Sequence, residues 1–504
     1  MKTYSTLLNL VPNGFFISIL LVFIAFGIDA QEEGKVGIGT TNPTEKLDVN
    51  GNIRLSGELM PGGAAGINGQ LLQSNGDGSM QWASPELSSS NGGVGYGTWG
   101  NCEMSGLSEY YPVSDPEGEA WDHIGCSVAI SGNYAVVGAK GEDGDNGDDE
   151  GTVTVLIFDP NMGIWVRDGE NKIFGEDSQQ DDNFGNSVAI DGDYMVVGAI
   201  LDDGPAGEDQ GSASIYKRNA SNGIWELQGG KLINPSASAN DHFGASVDIS
   251  GDYMIVGTPL DDFPGANDLG SAIVFKRNPA TGDWAQDGNI INHQSGVPMD
   301  DFGSSVSISG EYAIIGAPLD DGPGGVDQGS VTFYKRNSGT GQWDILGTKV
   351  YSPSPGEGYR FGASVCIDDE FAIVGAPLDG SSGITSSGAA YVFRRNDGSG
   401  LFENFGTTLF NSEISANRDF GASVHLSGKY AIVGCPSDEN YYGSATLFVN
   451  VGPSFQGMQR ITDPWGTYND AFGSSVALEK STQRFVIGSE YSLGIVGKIV
   501  FGKF

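Results

Sequence analysis

Short runs in which apolar and polar residues alternate recur along most of this chain and predict β-strands. In the run SVSIS, which ends at Ser309, valine and isoleucine occupy every second position, as in a strand with one buried face. A Gly-Glu-Tyr turn follows, and after it comes a second apolar run, AIIG. No comparable helical periodicity accompanies these runs, so the pattern predicts an all-β protein.

The strand pattern is repeated seven times at a nearly constant interval. Each repeat opens on Phe-Gly, or once on Ile-Gly, and its second strand closes on Gly-Ala-Pro or a relative of it. The opening glycines are Gly125, Gly185, Gly244, Gly303, Gly362, Gly421 and Gly473, so the intervals are 60, 59, 59, 59, 59 and 52 residues. A fixed interval of this length predicts stacked supersecondary units.

Four strands are predicted in each unit. In the fourth unit an acidic loop leads to a third strand, Ser330–Tyr334, and a glycine-containing turn leads to a fourth strand opened by Trp343. The corresponding aromatic residues of the other units are Trp165, Trp225, Trp284, Phe402 and Phe455. One four-stranded sheet buries too little surface to be stable alone. The units are therefore expected to form an all-β, seven-bladed propeller of four-stranded blades.

These residues carry a resemblance to a known family. From near Trp99 to Phe504 the chain resembles the FG-GAP repeat proteins, whose seven repeats form the β-propeller head of integrin α subunits and occur in many secreted bacterial proteins. The resemblance implies a propeller that recognises or adheres to a ligand. The predicted propeller domain spans residues 98–504.

The two ends of the predicted propeller indicate how it closes. The seventh unit ends at Phe504, directly after its third strand, and lacks a fourth. Trp99 precedes Ile124 much as Trp343 precedes Phe361. Residues Thr98–Tyr111 are therefore predicted to complete the last blade.

The N-terminus predicts export. Lys2 precedes an apolar stretch, Phe15–Ile28, of 14 residues, which suits a secretory signal better than a membrane span. Residues 1–30 are accordingly predicted to be a signal peptide, with an uncleaved anchor as the alternative. The expected location is secreted or at the cell surface, without membrane contact after cleavage.

A separate segment, residues 31–86, precedes a Ser/Gly linker at residues 87–97. Leu47, Val49, Ile53 and Leu55 alternate around an Asn-Gly turn, which predicts a hairpin. The segment resembles repeats of phage tail-fibre-like and bacterial surface proteins in which three chains wind together. That resemblance implies a homotrimer formed through residues 34–85. A flexible spacer, or a hairpin docked on the propeller, is the alternative.

The charge of the chain excludes some partners. The sequence has 25 basic and 64 acidic residues, for a net charge of −39. Such a charge repels nucleic acid and anionic membranes. It suits divalent cations or a salty medium, and it equally suits simple solubility.

The acidic loops after the second strands are candidate calcium sites. Flexible, glycine-rich turns with several carboxylates suit Ca²⁺. In the resembled family, corresponding loops of some blades bind calcium through Asp-x-Asp-x-Asp-Gly, whereas this chain mostly has adjacent aspartates. Solvated turn aspartates are the alternative. The candidate ligands are Asp143, Asp145, Asp148 and Asp149 in unit one, Asp202, Asp203 and Asp209 in unit two, Asp261, Asp262 and Asp268 in unit three, and Asp320, Asp321 and Asp327 in unit four.

Cysteine and histidine usage gives little indication of catalysis. Cys366 and Cys435 fall within predicted strands and are expected to be buried thiols, while pairing of Cys102 with Cys126 is left open. The four histidines lack metal-binding spacing, and no nucleophile elbow is present. No catalytic residue and no enzymatic activity are therefore predicted.

The sequence thus predicts an exported recognition or adhesion module that binds an extracellular protein or glycan through propeller loops. These loops vary between units while the strands repeat. Two alternatives remain open, namely an exported carbohydrate-active enzyme such as a lyase or glycosidase, and a structural fibre component.

Overall fold

The computed structural model describes most of residues 122–504. Within that range it leaves out residues 145–146, 169–171, 264–267, 294–296, 412–415, 417, 464–467 and 491–496. Before residue 122 it describes only six short strands. The described residues fall into two compact units, Met1–Cys102 and Glu103–Phe504. No described helix has the length and apolar character needed to cross a membrane.

The second unit is a seven-bladed β-propeller, as predicted. Each blade is an antiparallel sheet whose strands follow one another in chain order. Blade one comprises Ile124–Ser131, Tyr134–Ala139, Thr152–Asp159 and Ile164–Arg167. Blade two comprises Phe184–Asp191, Tyr194–Ala199, Ser212–Arg218 and Trp225–Leu227. Blade three comprises Ser246–Ser250, Tyr253–Thr258, Ser271–Arg277 and Trp284–Gln286, with an extra short strand, Ile291–Asn292.

The remaining blades have the same order. Blade four comprises Ser305–Ser309, Tyr312–Ala317, Ser330–Arg336 and Trp343–Ile345, with an extra short strand, Val350–Tyr351, and blade five comprises Ser364–Asp368, Phe371–Ala376, Ala389–Arg395 and Phe402–Leu409. Blade six comprises Val424–Ser427, Tyr430–Cys435, Ser444–Asn450 and Phe455–Ile461. The strands of blade seven that come from its own repeat are Phe472–Glu479, Arg484–Ser489 and Lys498–Lys503. A short helix, Asp438–Tyr441, lies between the second and third strands of blade six.

An N-terminal strand completes the last blade. Pro112–Val113 pairs antiparallel with Lys498–Lys503, Val113 opposite Ile499. Val350 pairs with the corresponding residue of blade four, Val331. The described closing strand is therefore the counterpart of that short outer strand. The predicted fourth strand, Thr98–Tyr111, lies outside the described residues.

Deleting residues 98–113 is expected to weaken ring closure. The deletion removes the partner of Lys498–Lys503 and leaves that strand as an open edge. We expect the thermal unfolding midpoint to fall by at least about 5 °C and edge-to-edge association to increase. Calorimetry and light scattering on residues 31–504 would measure both effects. Deleting residues 31–97 instead is the control, and equal midpoints for the two deletions would contradict the closing role.

The first unit contains two small sheets. Ile28–Asp29 pairs antiparallel with Val36–Ile38, which pairs in parallel with Leu47–Val49. Leu71–Ser74 and Met80–Ala83 form an antiparallel pair. The second arm of the hairpin predicted around Asn50-Gly51 lies outside the described residues, as does most of the predicted signal peptide.

The repeated Phe-Gly dipeptides seal the contacts between blades. Phe243, Phe302, Phe361, Phe420 and Phe472 are fully buried. Phe302 packs in one cluster with Val274 of blade three and with Ile315 of blade four. Burying each such ring contributes roughly 2–3 kcal/mol. The phenylalanines are therefore wedges between blades.

A serine side chain links each blade to the next. Ser305 Oγ donates to the carbonyl oxygen of Gly362 at 2.7 Å, and the other blades repeat this bond. The remaining pairs are Ser127–Gly185, Ser187–Gly244, Ser246–Gly303, Ser364–Gly421, Ser423–Gly473 and Ser475–Gly125. The last pair joins blade seven to blade one, so the series of bonds closes on itself.

Candidate functional site

The predicted calcium-ligand residues lie in the loops that join the second and third strands. In each of the first four loops, one carboxylate accepts a hydrogen bond from the backbone N–H six residues later. The bonds are Asp149 N to Asp143 Oδ1 at 3.0 Å, Asp209 N to Asp203 Oδ1 at 3.0 Å, Asp268 N to Asp262 Oδ1 at 2.9 Å and Asp327 N to Asp321 Oδ1 at 3.1 Å. These carboxylates close the loops as turn residues do.

The last aspartate of each loop has left-handed backbone geometry. Asp149, Asp209, Asp268 and Asp327 have φ angles of 53°, 51°, 50° and 50°. Asp148 is exposed, and Asp145 lies outside the described residues. The same left-handed geometry recurs just before the Phe-Gly dipeptides, where His123 has φ 54° and His242 has φ 61°. These two histidines are therefore turn residues at the same repeat position.

The first aspartate of each adjacent pair is buried beneath its loop. Asp202 lies 2.7 Å from Lys231 Nζ, and Asp320 lies 2.8 Å from Lys349 Nζ. Asp261 is fully buried without such a lysine, because Ile290 occupies that repeat position. The two members of each pair thus have different environments.

A second row of buried aspartates lies next to the first. Asp182, Asp241 and Asp300 each stand two residues before a Phe-Gly phenylalanine, and each accepts a backbone N–H from three residues earlier. Burial, opposed by the Gln179 N–H bond but assisted by the charge of Asp202, raises the pKa of Asp182 to about 6. Burial and the charge of Asp261 raise the pKa of Asp241 to about 7, although the N–H of Ser238 favours its ionised form.

Replacing Asp241 by asparagine is expected to stabilise the protein at pH 8 in chelator. The native carboxyl ionises near pH 7, against 3.8 for an ordinary aspartate, so its ionisation destabilises the fold progressively between those pH values. We expect Asp241→Asn to raise the free energy of unfolding by about 2–4 kcal/mol at pH 8 and to have little effect at pH 4. Urea denaturation at the two pH values tests this. The exposed Asp283→Asn is the control, and the same pH dependence in both variants would contradict the assignment.

Two sets of loops meet on one face of the propeller. The strands are antiparallel, so the loops from the second to the third strand leave the same edge as the connections to the next blade. We call this surface the loop face. It comprises the described parts of residues 140–151, 169–183, 200–211, 228–242, 259–270, 287–301, 318–329, 346–360, 377–388, 410–419, 436–443 and 462–471.

Backbone hydrogen bonds connect these loops across blade boundaries. Met299 N donates to Asp268 O at 2.8 Å, and Gly358 N donates to Val326 O at 2.9 Å. Ala471 N donates to Tyr441 O at 3.1 Å. The loop face is therefore held by main-chain bonds between neighbouring blades, beyond the bonds within each loop.

Large apolar side chains are exposed on the loop face. Met299 is 66% exposed, Val326 is 56% exposed and Tyr468 is 53% exposed. Val297, Tyr441 and Tyr442 are also exposed there. The rings of Tyr441 and Tyr468 meet edge to face at 6.4 Å. The sequence analysis singled out the acidic residues of these loops and missed their apolar neighbours.

The repeated basic pairs at the ends of the third strands are engaged by other side chains. Arg218 lies 2.8 Å from Asp193, and Arg336 donates to both carboxylate oxygens of Asp287. Lys217, Lys276 and Lys335 lie over tyrosine rings. These groups balance rim charges and stack on aromatic rings, which indicates a structural role.

The seven first strands surround a central channel with a volume of about 340 Å³. One repeat position in this channel carries unlike residues. From blade one to blade seven they are Ala129, Ala189, Asp248, Ser307, Cys366, His425 and Ala477. The sequence analysis did not identify this non-repeated set, which emerges when the first strands of the seven blades are aligned.

The polar channel residues bind the neighbouring first strand. Ser307 Oγ donates to Asp248 Oδ2 at 2.7 Å and accepts from Ile367 N at 3.1 Å. Leu478 N lies 3.4 Å from His425 Nδ1, which accepts its hydrogen bond. Each such contact ties one blade to the next at the channel wall.

Burial determines the protonation of these channel groups. It raises the pKa of Asp248 to about 6 and lowers the pKa of His425 to about 4. It also raises the pKa of Cys366 far above its usual range. At neutral pH the thiol is therefore protonated and the imidazole neutral, so neither has the charge of an activated nucleophile or a general acid.

Cys366 and Cys435 are free and buried, as predicted, and Cys126 is also free. Cys102 lies outside the described residues.

One group of buried side chains has ligand atoms close enough to share a metal ion, within the part of the chain that the structure describes. It consists of His293, Asp300 and Asp320, whose candidate ligand atoms all lie within 4.8 Å of one another. Only Asp320 belongs to the sequence-predicted ligand set. Histidine spacing along the chain could not indicate this group, because its members come from two blades.

The fold and the repeated contacts define a seven-bladed β-propeller built from Phe-Gly repeats. The FG-GAP repeat model matches residues 113–156, 168–216, 225–275, 284–333 and 353–393. The chain is therefore an FG-GAP repeat protein, which confirms the resemblance seen in the sequence.

Solved propellers are similar to this chain in architecture. A Lactobacillus plantarum protein has 12% identity and a TM-score of 0.45, covering 73% of this chain and 99% of its own. The periplasmic gluconolactonase of Pseudomonas aeruginosa has 16% identity and a TM-score of 0.44, covering 69% and 94%. A candidate 6-phosphogluconolactonase of Bacteroides fragilis has 12% identity and a TM-score of 0.43, covering 66% and 83%. No curated protein matches the sequence.

These structures correct one prediction. The sequence analysis concluded that the protein is not an enzyme, and that conclusion is wrong because similar propellers are named as lactonases. At these identities and TM-scores the similarity concerns the fold alone. It assigns no substrate to this chain.

Proposed function

We propose that this protein is an exported recognition module that binds an extracellular protein through its loop face. The observation that supports the proposal best is the set of exposed apolar and aromatic side chains among acidic loops. Patches of this kind on otherwise soluble domains mark sites of protein interaction. Export rests on the predicted signal peptide, residues 1–30.

The loop face is suited to binding because main-chain hydrogen bonds hold its described segments in place. Met299 and Tyr441 belong to segments that form main-chain hydrogen bonds across blade boundaries. A ligand therefore does not have to order these loops, which removes a cost that opposes association. Tyrosine adds contact area with few rotatable bonds, and the Tyr441–Tyr468 contact limits their motion further.

The charge of the loop face indicates the kind of partner. Asp203, Glu208 and Asp321 are exposed in loops of the same face. A basic protein surface with apolar side chains would match both properties. Exposed aliphatic groups such as Val326 and Met299 favour a protein over a glycan, because sugars stack mainly on aromatic rings.

The test is binding of residues 31–504 to an array of extracellular proteins and glycans. We expect protein binding that Tyr441→Ala with Tyr468→Ala weakens by about 30-fold or more, as for hot-spot residues. Ile224→Ala is the control, because this exposed residue lies in a turn between a third and a fourth strand, at the opposite edge of its blade. Binding to glycans alone, or equal loss in both variants, would contradict the proposal.

The same binding experiment addresses calcium, which stays a prediction for the acidic loops. Binding that is lost in chelator and restored by calcium would support ions at Asp143, Asp203, Asp262 and Asp321. Binding that persists in chelator would favour the alternative, in which these carboxylates serve only to close the loops through hydrogen bonds.

A second candidate function is catalysis in the central channel. The non-repeated Asp248 has its pKa raised to about 6 by burial, and a carboxyl that stays protonated in weakly acidic medium is suited to general acid catalysis there. Turnover of extracellular polysaccharides that Asp248→Asn abolishes, while loop-face variants leave it unchanged, would support this function. Turnover that persists in Asp248→Asn would rule out this residue as the acid.

A further inference from the structure

A buried histidine lies between two buried carboxylates at the contact between blades three and four. His293 directly follows the short strand Ile291–Asn292, Asp300 precedes the Phe-Gly dipeptide of the fourth repeat, and Asp320 follows the second strand of blade four. Their exposed fractions are 3%, 1% and 3%. The connection between the two blades and the loop after the second strand of blade four therefore bring these side chains together away from bulk water.

The two ring nitrogens of His293 face different carboxylates. Nδ1 lies 3.1 Å from Asp300 Oδ2, and Nε2 lies 3.8 Å from Asp320 Oδ2. Neither nitrogen forms a hydrogen bond, although both are buried. The ring stacks on Phe302 with centroids 4.9 Å apart, which fixes its plane. A buried imidazole without hydrogen bonds is unusual and calls for a partner.

The blade repeat supplies an internal comparison. Ile291, two residues before His293, pairs with Ala272 in blade three. The corresponding pairs are Leu232 with Ala213 in blade two and Val350 with Val331 in blade four. The residues that correspond to His293 in those blades are Asn234 and Ser352. The blade contact therefore forms without histidine elsewhere, so blade packing alone does not require His293.

The neighbouring blade contact differs in charge as well. Asn234 lies with Asp241 and Asp261, which have no lysine beside them. At the histidine site Lys349 Nζ lies 2.8 Å from Asp320 Oδ2 and offsets one of the two negative charges. A divalent ion would offset the remaining charge, and imidazole with two carboxylates is a donor set that divalent transition metals accept.

We infer that His293, Asp300 and Asp320 form a binding site for a divalent transition-metal ion, with Zn²⁺ as the probe of choice. One imidazole nitrogen and one oxygen from each carboxylate are the protein ligands. Three such ligands leave a coordination position open. The site would link blades three and four, so the bound ion would stabilise their contact.

The experiment is zinc titration of residues 31–504 in excess calcium, which occupies weak surface carboxylates. We expect one retained equivalent of zinc in the natural protein, and affinity about 100-fold lower or more in His293→Asn. His242→Asn is the matched control, because asparagine tolerates its left-handed backbone and His242 lies outside the site. Equal zinc retention in the natural protein and in His293→Asn would overturn the inference.

A second measurement does not depend on a variant that folds. Anomalous scattering from zinc-soaked crystals of the natural protein should place an ion among His293, Asp300 and Asp320. The thermal midpoint should also rise with zinc in the natural protein and in His242→Asn. An absence of bound zinc at this site in the crystals would leave His293 as a side chain packed between two carboxylates, and the metal site would be rejected.

Discussion

Replacing Gly303 by alanine is expected to lower the free energy of unfolding by about 3–5 kcal/mol. Gly303 has φ +95°, a conformation that residues with a Cβ rarely adopt, and an added Cβ would lie 2.2 Å from the carbonyl oxygen of Ser271. Ser271 begins the third strand of blade three, so the clash forces two blades apart. The midpoint of chemical denaturation measures the loss.

Gly310→Ala provides the control for this prediction. Gly310 also has a positive φ, +55°, but an added Cβ there would meet no atom within 4 Å. Its substitution should cost only about 1 kcal/mol, from backbone strain alone. If the two variants lost equal stability, the close approach of blades at the Phe-Gly dipeptide would not be the cause.

The second large effect is expected at Asp438, a fully buried aspartate in blade six. Its carboxylate forms an ion pair with Arg418 and accepts from Arg460 Nη2 at 2.6 Å and from Asn411 Nδ2 at 3.0 Å. Asp438→Ala would leave the two partly buried arginines without this carboxylate. We expect a loss of about 3–5 kcal/mol in the free energy of unfolding at pH 7, measured by urea denaturation.

The pH dependence and a neighbouring variant separate this network from general surface charge. Burial alone would raise the pKa of Asp438, but hydrogen bonds from Ser444 and Arg460 hold it below 3.8. Its contribution should therefore be present above pH 4 and disappear as the pH falls through the native pKa. Glu439→Ala removes an exposed partner of Arg460 and should cost at most about 1 kcal/mol. Comparable losses in both variants would contradict the assigned role.

The fold was predictable from the sequence because each local signal recurs seven times. Trp343 opens a fourth strand, as the repeat indicated. The closing strand was harder to locate. Trp99 stands 25 residues before Ile124, whereas Trp343 stands 18 before Phe361, so the two connections differ in length.

The candidate sites were less predictable, because adjacent residues in a loop need not share an environment. Asp320 and Asp321 were grouped as ligands of one ion, yet the first is buried beside Lys349 and the second closes the loop. His293 reaches Asp320 from another blade, so no spacing rule connects them. The channel position was visible in the sequence, since Cys366 stands where other repeats have alanine, serine, aspartate or histidine. The neighbours of each residue at this position emerge only when the blades close into a ring.

The closed circle of serine–glycine bonds also restricts how this protein can change its number of repeats. In an open stack of repeats, an added or lost unit alters one contact at the end. Here Ser475 of the last blade bonds to Gly125 of the first, so every blade has two neighbours. Gaining or losing a unit would change the angle at all seven contacts at once. Natural variants of this propeller should therefore differ in loop length and loop residues far more readily than in blade number.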